Sequence, residues 1–338
     1  MANPHVLNLN RFGLVLVVFV IILGAFTRLS DAGLGCPDWP GCYGHLLWPN
    51  ETHEITAAEA LWPSAPVDQT KTWPEMVHRY FAGSLLLVVF ALTFMAWKTR
   101  PPHAIREIST ALLLLILCQA AFGAWTVTLK LWPQVVTAHL LGGFATFSLL
   151  WVLFLRQGGA PSLCLTATDR ATLRGHAVLS LVVVMLQITL GGWMAANYAA
   201  WACLDDFPTC FGTFTPSMDF THGFNVLQGV GPNYLGGLMH SEARISIHWM
   251  HRLGALVVLA VVATLAVRLW VRNKILALVV AALLGLQLLL GTLNIVLRLP
   301  IAVATAHNGV GALLLLAMVT VNFAPPGKQR ECSGTDDI

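Results

Sequence analysis

Eight apolar stretches of membrane-spanning length determine what this chain can fold into. They cover roughly 12–30, 77–97, 108–128, 134–155, 174–196, 245–270, 275–297 and 301–323. A helix needs about twenty residues to cross the hydrocarbon core of a bilayer. Only 10% of the residues are charged, against roughly 25% in an average soluble domain. The pattern predicts an all-α polytopic membrane protein with eight transmembrane helices.

The distribution of Lys and Arg predicts the orientation of the chain. With the N-terminus inside, twelve of these residues fall on inner segments and seven on outer segments, which agrees with the positive-inside rule. We therefore expect both termini in the cytoplasm and the two cysteine-containing loops on the outer, periplasmic side of the cell inner membrane. The formal net charge of +3 reflects this bias, and nothing in it indicates nucleic-acid binding.

The chain reads as a tandem repeat, in which residues 12–155 match residues 174–323. Gly24 precedes Cys36 by 12 residues, and Gly191 precedes Cys203 by the same number. The other matched pairs are Cys42 and Cys210, His78 and His251, Arg79 and Arg252, Gln119 and Gln287, Lys130 and Arg298, and His139 and His307.

Each repeat contains four spans, so both repeats cross the membrane in the same direction. This predicts two tandem four-helix bundles, 11–156 and 174–323, related by a pseudo-two-fold axis along the membrane normal. The linker between them is expected on the inner side, at 156–173, and contains Gly158, Gly159 and Pro161.

Four histidines, two in each repeat, are the first candidate site residues: His78 with His139, and His251 with His307. A neutral imidazole inside a membrane is costly unless it has a partner, and two imidazoles per bundle can ligate a haem iron. His139 follows Pro133 by six residues, about 9 Å of helix, which places the sites in the outer half of the membrane. The alternative is that each is a core histidine bonded to a neighbouring helix.

The outer cysteines form the second set of candidates. Cys36 pairs most simply with Cys42, and Cys203 with Cys210, because disulfides are favoured on the oxidising side and each pair lies within one loop. A reactive dithiol used in redox exchange is the competing interpretation. The remaining cysteines, Cys118, Cys164 and Cys332, have no repeat partner and are expected to be free thiols.

Glu75 lies three residues before His78 and would share its helix face. A carboxylate there can accept a proton or stabilise a developing positive charge. It could equally be an acid in the first turn of a helix, where the helix dipole favours it. The matching position in the second repeat is His248, so the two predicted sites differ where chemistry would occur.

Four cations at the outer edge are candidates for binding anionic haem propionates: Arg79, Arg252, Lys130 and Arg298. Snorkelling to the membrane interface is the alternative. Segments 53–62 and 217–240 are expected on the membrane surface above the haem sites.

The motif Glu75-x-x-His78-Arg79, with His139, His251-Arg252, His307, the paired outer cysteines and eight spans in two repeats, resembles the haem A synthase family over roughly residues 11–323. The resemblance implies oxidation of the C8 methyl group of haem O to a formyl group by successive hydroxylations and loss of water. It implies that His78 and His139 receive the substrate haem, and that His251 and His307 hold a permanent haem b.

The resemblance also implies that Glu75 is the essential carboxylate and that Cys36 and Cys42 form the outer-loop disulfide. A haem O synthase and cytochrome oxidase assembly factors are the partners that it suggests. Membrane lipid and a second copy of the chain are further expected partners. His248 and the loop 199–243 are not assigned by the resemblance. A di-haem electron-transfer subunit of the cytochrome b type and a haem carrier remain the rival classes, because both use histidine ligands in helical bundles.

Overall fold

The computed structural model describes residues 4–159, 165–203 and 206–325. Eight long helices run through it, and all eight are long and apolar enough to cross a membrane. They are α1 (Pro4–Leu29), α3 (Gln69–Thr99), α4 (His103–Thr128), α5 (Pro133–Arg156), α6 (Ala167–Ala196), α8 (Ser241–Trp270), α9 (Lys274–Val296) and α10 (Ile301–Phe323). The prediction of an all-α, multi-pass membrane protein is therefore confirmed.

Two short helices lie in the two long loops that the sequence predicts on the outer side, which we call the outer loops: α2 (Thr52–Leu61) and α7 (Phe220–Gly223). The expected surface segment 53–62 is thus helical, whereas 217–240 is helical only at α7 and otherwise consists of turns and irregular backbone. The helix α3 begins eight residues before the apolar stretch that predicted it. Asp68 caps α3 by accepting a hydrogen bond from the backbone N–H of Thr70.

The helices pack in two groups of four. In the first, α1 contacts α3 and α5, and α4 contacts α3 and α5; in the second, α6 contacts α8 and α10, and α9 contacts α8 and α10. The groups meet where α1 touches α10 and where α5 touches α6 and α10. The two tandem bundles, 11–156 and 174–323, and the pseudo-two-fold axis between them stay a prediction.

Each outer loop contains one disulfide, Cys36–Cys42 and Cys203–Cys210, as predicted. The two loops have the same local backbone: Tyr43 and Phe211 both adopt positive φ, and Gly44 and Gly212 follow with φ of 76° and 74°. Cys118 is a free thiol. The other two predicted free thiols, Cys164 and Cys332, lie outside the described residues, as does Pro161 of the linker.

Candidate functional site

The predicted ligand histidines of the first repeat face one another across the bundle. His78 on α3 and His139 on α5 have ring centroids 6.5 Å apart and ring planes 87° to one another. A bond from a metal to an imidazole nitrogen is about 2 Å long, so two imidazoles on opposite sides of one iron would have centroids roughly 6 Å apart. The geometry of this pair therefore fits a shared iron.

In the second repeat, His251 lies on α8 and His307 on α10, the helices that correspond to α3 and α5. All four predicted ligands are partly buried. Among the described residues, the Nδ1 atoms of His78, His139 and His307 are buried without a hydrogen-bond partner. Buried polar atoms normally have partners, so these rings fit the role of ligands to a group that the protein binds.

Glycines make room for each of the four histidines. A Cβ added at Gly24 would lie 2.8 Å from Cε1 of His78, and a Cβ at Gly191 would lie 3.2 Å from Cε1 of His251. Gly123 and Gly291 stand in the same relation to His139 and His307, at 3.4 Å and 3.2 Å. The repeat therefore preserves both the histidines and the small residues against which their rings pack.

Three glutamines lie beside the histidines. In the sequence, two of them, Gln119 and Gln287, were noted only as a matched pair of the repeat. Gln287 places its amide nitrogen 3.3 Å from Nε2 of His307, and Gln119 is the matched residue near His139. Gln187 places its amide nitrogen 3.2 Å from Nδ1 of His251 and donates a 2.8 Å hydrogen bond to the carbonyl of the same residue. The position that matches Gln187 in the first repeat, four residues before Gly24, is Val20. The ligand environments of the two repeats are therefore different.

Glu75 is buried in the second turn of α3, with 4% of its surface exposed. One carboxylate oxygen accepts a hydrogen bond from the backbone N–H of Cys36 at 2.9 Å, and the other pairs with Arg79. Since Asp68 caps the helix, Glu75 is not a first-turn acid, and that alternative is wrong. Its carboxylate joins the ligand helix to the first disulfide loop.

His248 has a comparable structural role in the second repeat. It is buried, and its Nδ1 lies 3.0 Å from the carbonyl oxygen of Ala199, which begins a short 3₁₀ helix (Ala199–Trp201). Both Glu75 and His248 therefore bind the backbone of an outer loop. Only Glu75 brings an acidic group to that place.

Arg79 and Arg252 hold the disulfide loops. Arg79 donates to the carbonyls of Asp38 and Pro40, at 3.0 Å and 3.2 Å, and also to the carbonyl of Gly41. Arg252 donates to four carbonyls of the second loop: Cys203, Asp206, Pro208 and Thr209. The sequence did not predict this role, because the acceptors are backbone atoms that any residue type could supply.

The second loop is further stabilised by Asp206. The Thr209 hydroxyl and the Gly212 N–H both donate to its carboxylate, and these bonds hold the pKa of Asp206 below its usual value. Lys130 and Arg298, the other two predicted propionate partners, lie two residues beyond the ends of α4 and α9 and both adopt positive φ, of 50° and 60°. The two repeats therefore share a left-handed residue at this turn.

The outer segment of the second repeat reaches the first repeat. The indole of Trp132 donates to the carbonyl of Gln228 at 2.8 Å, and the amide of Gln134 donates to the carbonyl of Val226 at 2.9 Å. The backbone N–H of Tyr234 donates to the carbonyl of Lys130 at 3.0 Å. The segment therefore lies over the outer end of α5, the helix of His139.

A further polar cluster lies in this outer segment. Asp219 accepts from the ring of His222 at 2.6 Å and from the ring of His240 at 3.2 Å. The three side chains could hold a metal ion, but both histidines are exposed and hydrogen-bonded to the carboxylate. The hydrogen bond from the backbone N–H of His222 is the main reason that the pKa of Asp219 is lowered.

Comparison with known proteins gives a consistent result. Residues 9–319 match the COX15-CtaA family model, described as cytochrome oxidase assembly protein. The chain is 45% identical over 317 residues to a protein named "Heme A synthase" from Shewanella oneidensis, covering 93% of this chain and 95% of the relative. It is 30% identical over 331 residues to a protein of the same name from Caulobacter sp. (strain K31), covering 90% and 91%. A third such relative, from Novosphingobium aromaticivorans, is 28% identical over 334 residues and covers 89% of both chains.

Proposed function

Because the chain belongs to the COX15-CtaA family and is a haem A synthase, an oxidoreductase that converts haem O to haem A, we propose how its two repeats share this reaction. The first repeat binds haem O through His78 and His139. The second holds a resident haem b through His251 and His307. The difference between the two ligand environments is the observation that supports this assignment.

That difference has two parts. The first repeat has the acid Glu75 one turn from its ligand His78, where the second has the neutral His248. The second repeat has Gln187 beside its ligand His251, where the first has Val20. Residues that fix the ring of a metal ligand raise the affinity of the site, often by about 10–100-fold. The second site therefore suits permanent binding, and the first suits a substrate that enters and leaves.

Glu75 is the residue that we assign to the chemistry. In the first repeat, the C8 methyl group of haem O is hydroxylated twice, and loss of water leaves the formyl group. A carboxylate near that carbon accepts released protons or stabilises developing positive charge. A haem b held by His251 and His307 would supply electron transfer for this oxidation. Arg79 keeps Glu75 in place, since it bridges the carboxylate and the disulfide loop.

The cations and the topology complete the proposal. Lys130 and Arg298 bind the haem propionates, and Arg252, whose Nε is buried without a partner among the described residues, retains a donor for the same purpose. Arg79 remains a candidate of this kind. The protein spans the cell inner membrane with both termini in the cytoplasm. Haem O synthase, oxidase assembly factors and a second copy of the chain are its proposed partners.

Pigment analysis tests the proposal directly. The chain is expressed in cells that make haem O but lack their own haem A synthase, and the haems are extracted from membranes. We expect haem A to form, and we expect the purified chain to retain haem b. An electron-transfer subunit or a haem carrier would leave haem O unchanged, and that result would refute the proposal.

A further inference from the structure

Three side chains that can ligate a metal ion converge in the outer loop of the second repeat. They belong to Asp219, His222 and His240, and the ligand atoms that they offer all lie within 4.8 Å of one another. Oδ2 of Asp219 lies 2.6 Å from Nδ1 of His222 and 3.2 Å from Nε2 of His240. The ring centroids are 5.2 Å apart and the ring planes are inclined by 72°. Both rings therefore meet the same carboxylate oxygen without stacking on one another.

Helix capping accounts for only part of this arrangement. Asp219 caps α7 through Oδ1, which accepts a hydrogen bond from the backbone N–H of His222 at 3.0 Å. That cap is complete without either ring. His240 lies 21 residues beyond Asp219, immediately before α8, and its ring still comes to Oδ2. The cluster thus brings two imidazoles from separate elements to one carboxylate oxygen, which is more than the cap of α7 requires.

The backbone that carries these side chains is held against α8. The N–H of Asp219 donates to the carbonyl of Glu242 at 3.1 Å, and its carbonyl accepts from the hydroxyl of Ser246 at 3.0 Å. A Cβ added at Gly223 would lie 2.2 Å from the hydroxyl oxygen of Ser246 and 2.7 Å from the carbonyl oxygen of Ala243, so glycine allows α7 to pack this closely. Groups that fix a ligand in place raise metal affinity. The ligand backbone is therefore positioned before an ion binds.

The donor set favours a transition-metal ion such as Zn²⁺. Zn²⁺ binds imidazole nitrogen and carboxylate oxygen at about 2.0–2.2 Å, so the ligands of a tetrahedral ion are roughly 3.3 Å apart. The separations of 2.6 Å and 3.2 Å are close to this value, and an ion would replace the two hydrogen bonds. Ca²⁺ and Mg²⁺ prefer oxygen ligands. The side chains of His222 and His240 are 66% and 47% exposed, so an ion in solution can reach them.

We propose that Asp219, His222 and His240 form a Zn²⁺ site, with water in the fourth position of a tetrahedral ion. The site belongs to the second repeat. The position that matches His240 in the first repeat is Val67, each lying 11 residues before the first proposed haem ligand of its repeat. This inference goes beyond the proposed function and does not depend on which haem each repeat binds.

The ion would join the two ends of a chain segment that reaches the first repeat. His222 lies on α7 and His240 immediately before α8. Between them, the N–H of Tyr234 donates to the carbonyl of Lys130 in the first repeat, at 3.0 Å. Bound Zn²⁺ therefore closes a loop from His222 to His240 whose middle contacts the other repeat, and it restricts the motion of that loop.

The experiment measures zinc binding to the full-length chain, purified in detergent through a tag that contains no histidine. The protein is dialysed to equilibrium against buffered Zn²⁺, and zinc per chain is determined by atomic absorption. His78 and His139 can also take up zinc, so the result is the difference between each variant and the unmodified chain. Amide hydrogen exchange over residues 219–240, with and without zinc, is the second measurement.

Three variants each remove one ligand. His222→Gln and His240→Gln leave the cap of α7 by Asp219 intact, and they keep the test valid if Asp219→Asn does not fold. Asp219→Asn retains an oxygen that can cap α7 and removes the charge. His53→Gln is the matched control, because His53 is an exposed histidine in the outer loop of the first repeat, 3.3 Å from the single carboxylate of Glu51.

We expect the unmodified chain to bind one zinc ion more than each of the three variants when free zinc is just sufficient to fill the site. The affinity should fall at least about tenfold in each, since even groups that only orient a ligand change affinity by about 10–100-fold. His53→Gln should bind as the unmodified chain does, and excess Ca²⁺ should not displace the zinc. Zinc should slow exchange over 219–240 in the unmodified chain and not in His240→Gln.

Equal zinc uptake by the unmodified chain, His222→Gln and His240→Gln would overturn the inference. A loss of zinc in His53→Gln as large as that in His240→Gln would do the same, because any exposed histidine beside a carboxylate would then suffice. Zinc that leaves exchange over 219–240 unchanged in the unmodified chain would exclude a link between α7 and α8, and with it the proposed site. Haem A formation is measured separately, so these results leave the test of the proposed function independent.

Discussion

Replacement of Glu75 by Gln is the most informative single change, because it keeps the shape of the side chain and removes its charge. In the structure the Glu75 carboxylate makes two interactions, and replacement by Gln keeps one and removes the other. It is an acceptor for the backbone N–H of Cys36, at 2.9 Å, and it is the anionic partner of Arg79. The glutamine carbonyl can still accept from Cys36, whereas the ion pair is lost.

The cost in stability should be moderate. Removal of one partner of a buried ion pair can cost about 3–5 kcal/mol, when the other charge is left without a partner. In the Gln variant, Arg79 can still donate hydrogen bonds to the carbonyls of Asp38 and Pro40, which lie at 3.0 Å and 3.2 Å. We therefore expect a loss nearer the value of one charged hydrogen bond, about 1.5–3 kcal/mol. A protein that retains its disulfides and its second haem site should tolerate this.

The loss of activity should be much larger. A positioned acid or base contributes about 10²–10⁴-fold to a reaction, so haem A formation by Glu75→Gln should fall by at least two orders of magnitude. The measurement is the ratio of haem A to haem O in extracted membranes, together with haem b content and the denaturation midpoint of the purified variant. Haem O or a hydroxylated product should accumulate.

The matched control is His248→Gln, at the equivalent position of the second repeat. His248 also binds an outer loop, through the carbonyl of Ala199 at 3.0 Å, but supplies no carboxylate. We expect the His248→Gln variant to retain less haem b. The amount of haem A formed for each haem b that stays bound should change less. Near-normal haem A formation by Glu75→Gln would refute the catalytic assignment and would leave Glu75 as the anchor of the Cys36 loop.

Three further predictions concern the second site and the loops. His251→Ala should remove the haem b spectrum while both disulfides still form, and a full low-spin haem b spectrum in that variant would show that the ligand assignment is wrong. Gln187→Leu should lower haem b affinity by about 10–100-fold, measured by transfer to an excess of a haem-free acceptor protein. Val20→Leu, at the matched position, should not change that affinity, and equal retention by both variants would contradict the role of the amide. Thiol counting under denaturing, non-reducing conditions should find three free thiols, because four of the seven cysteines are paired; seven reactive thiols would contradict both disulfides.

The membrane-spanning helices could be predicted because the bilayer imposes a simple requirement on them. About twenty consecutive apolar residues are needed to cross it, and this property is local in sequence. The ends of the helices could not be predicted in the same way. The helix α3 begins at Gln69, within a polar stretch, where capping by Asp68 and packing against the disulfide loop decide its start.

The histidine pairs could be predicted because the repeat gives each of them an independent second occurrence. The pairing of Cys36 with Cys42 was likewise accessible from proximity in sequence. The position of Gln187 beside a histidine could not be predicted from the sequence, because Gln187 has no counterpart in the first repeat and polar residues within apolar stretches have many roles. Its position beside His251 became apparent only from the packing of α6 against α8.

The roles of Arg79 and Arg252 could not be obtained from sequence for a different reason. Both were predicted from their charge to meet anionic propionates, which stays a proposal, and the structure shows in addition that their guanidinium groups donate to backbone carbonyls of the disulfide loops. A carbonyl acceptor leaves no trace in the sequence, since every residue has one. Contacts of this type can be found only when the loop conformation is known.

The clamp formed by Arg252 also has a mechanical consequence. Arg252 is the chain neighbour of His251, the proposed haem ligand, and its guanidinium group donates to four carbonyls of the outer loop. The same adjacency exists between Arg79 and His78. A cofactor ligand must hold its position to within about half an ångström to function. A displacement of a disulfide loop would therefore reach the proposed ligand through the arginine next to it in the chain, and the two disulfides, by restricting the loops, would narrow the positions that both histidines adopt.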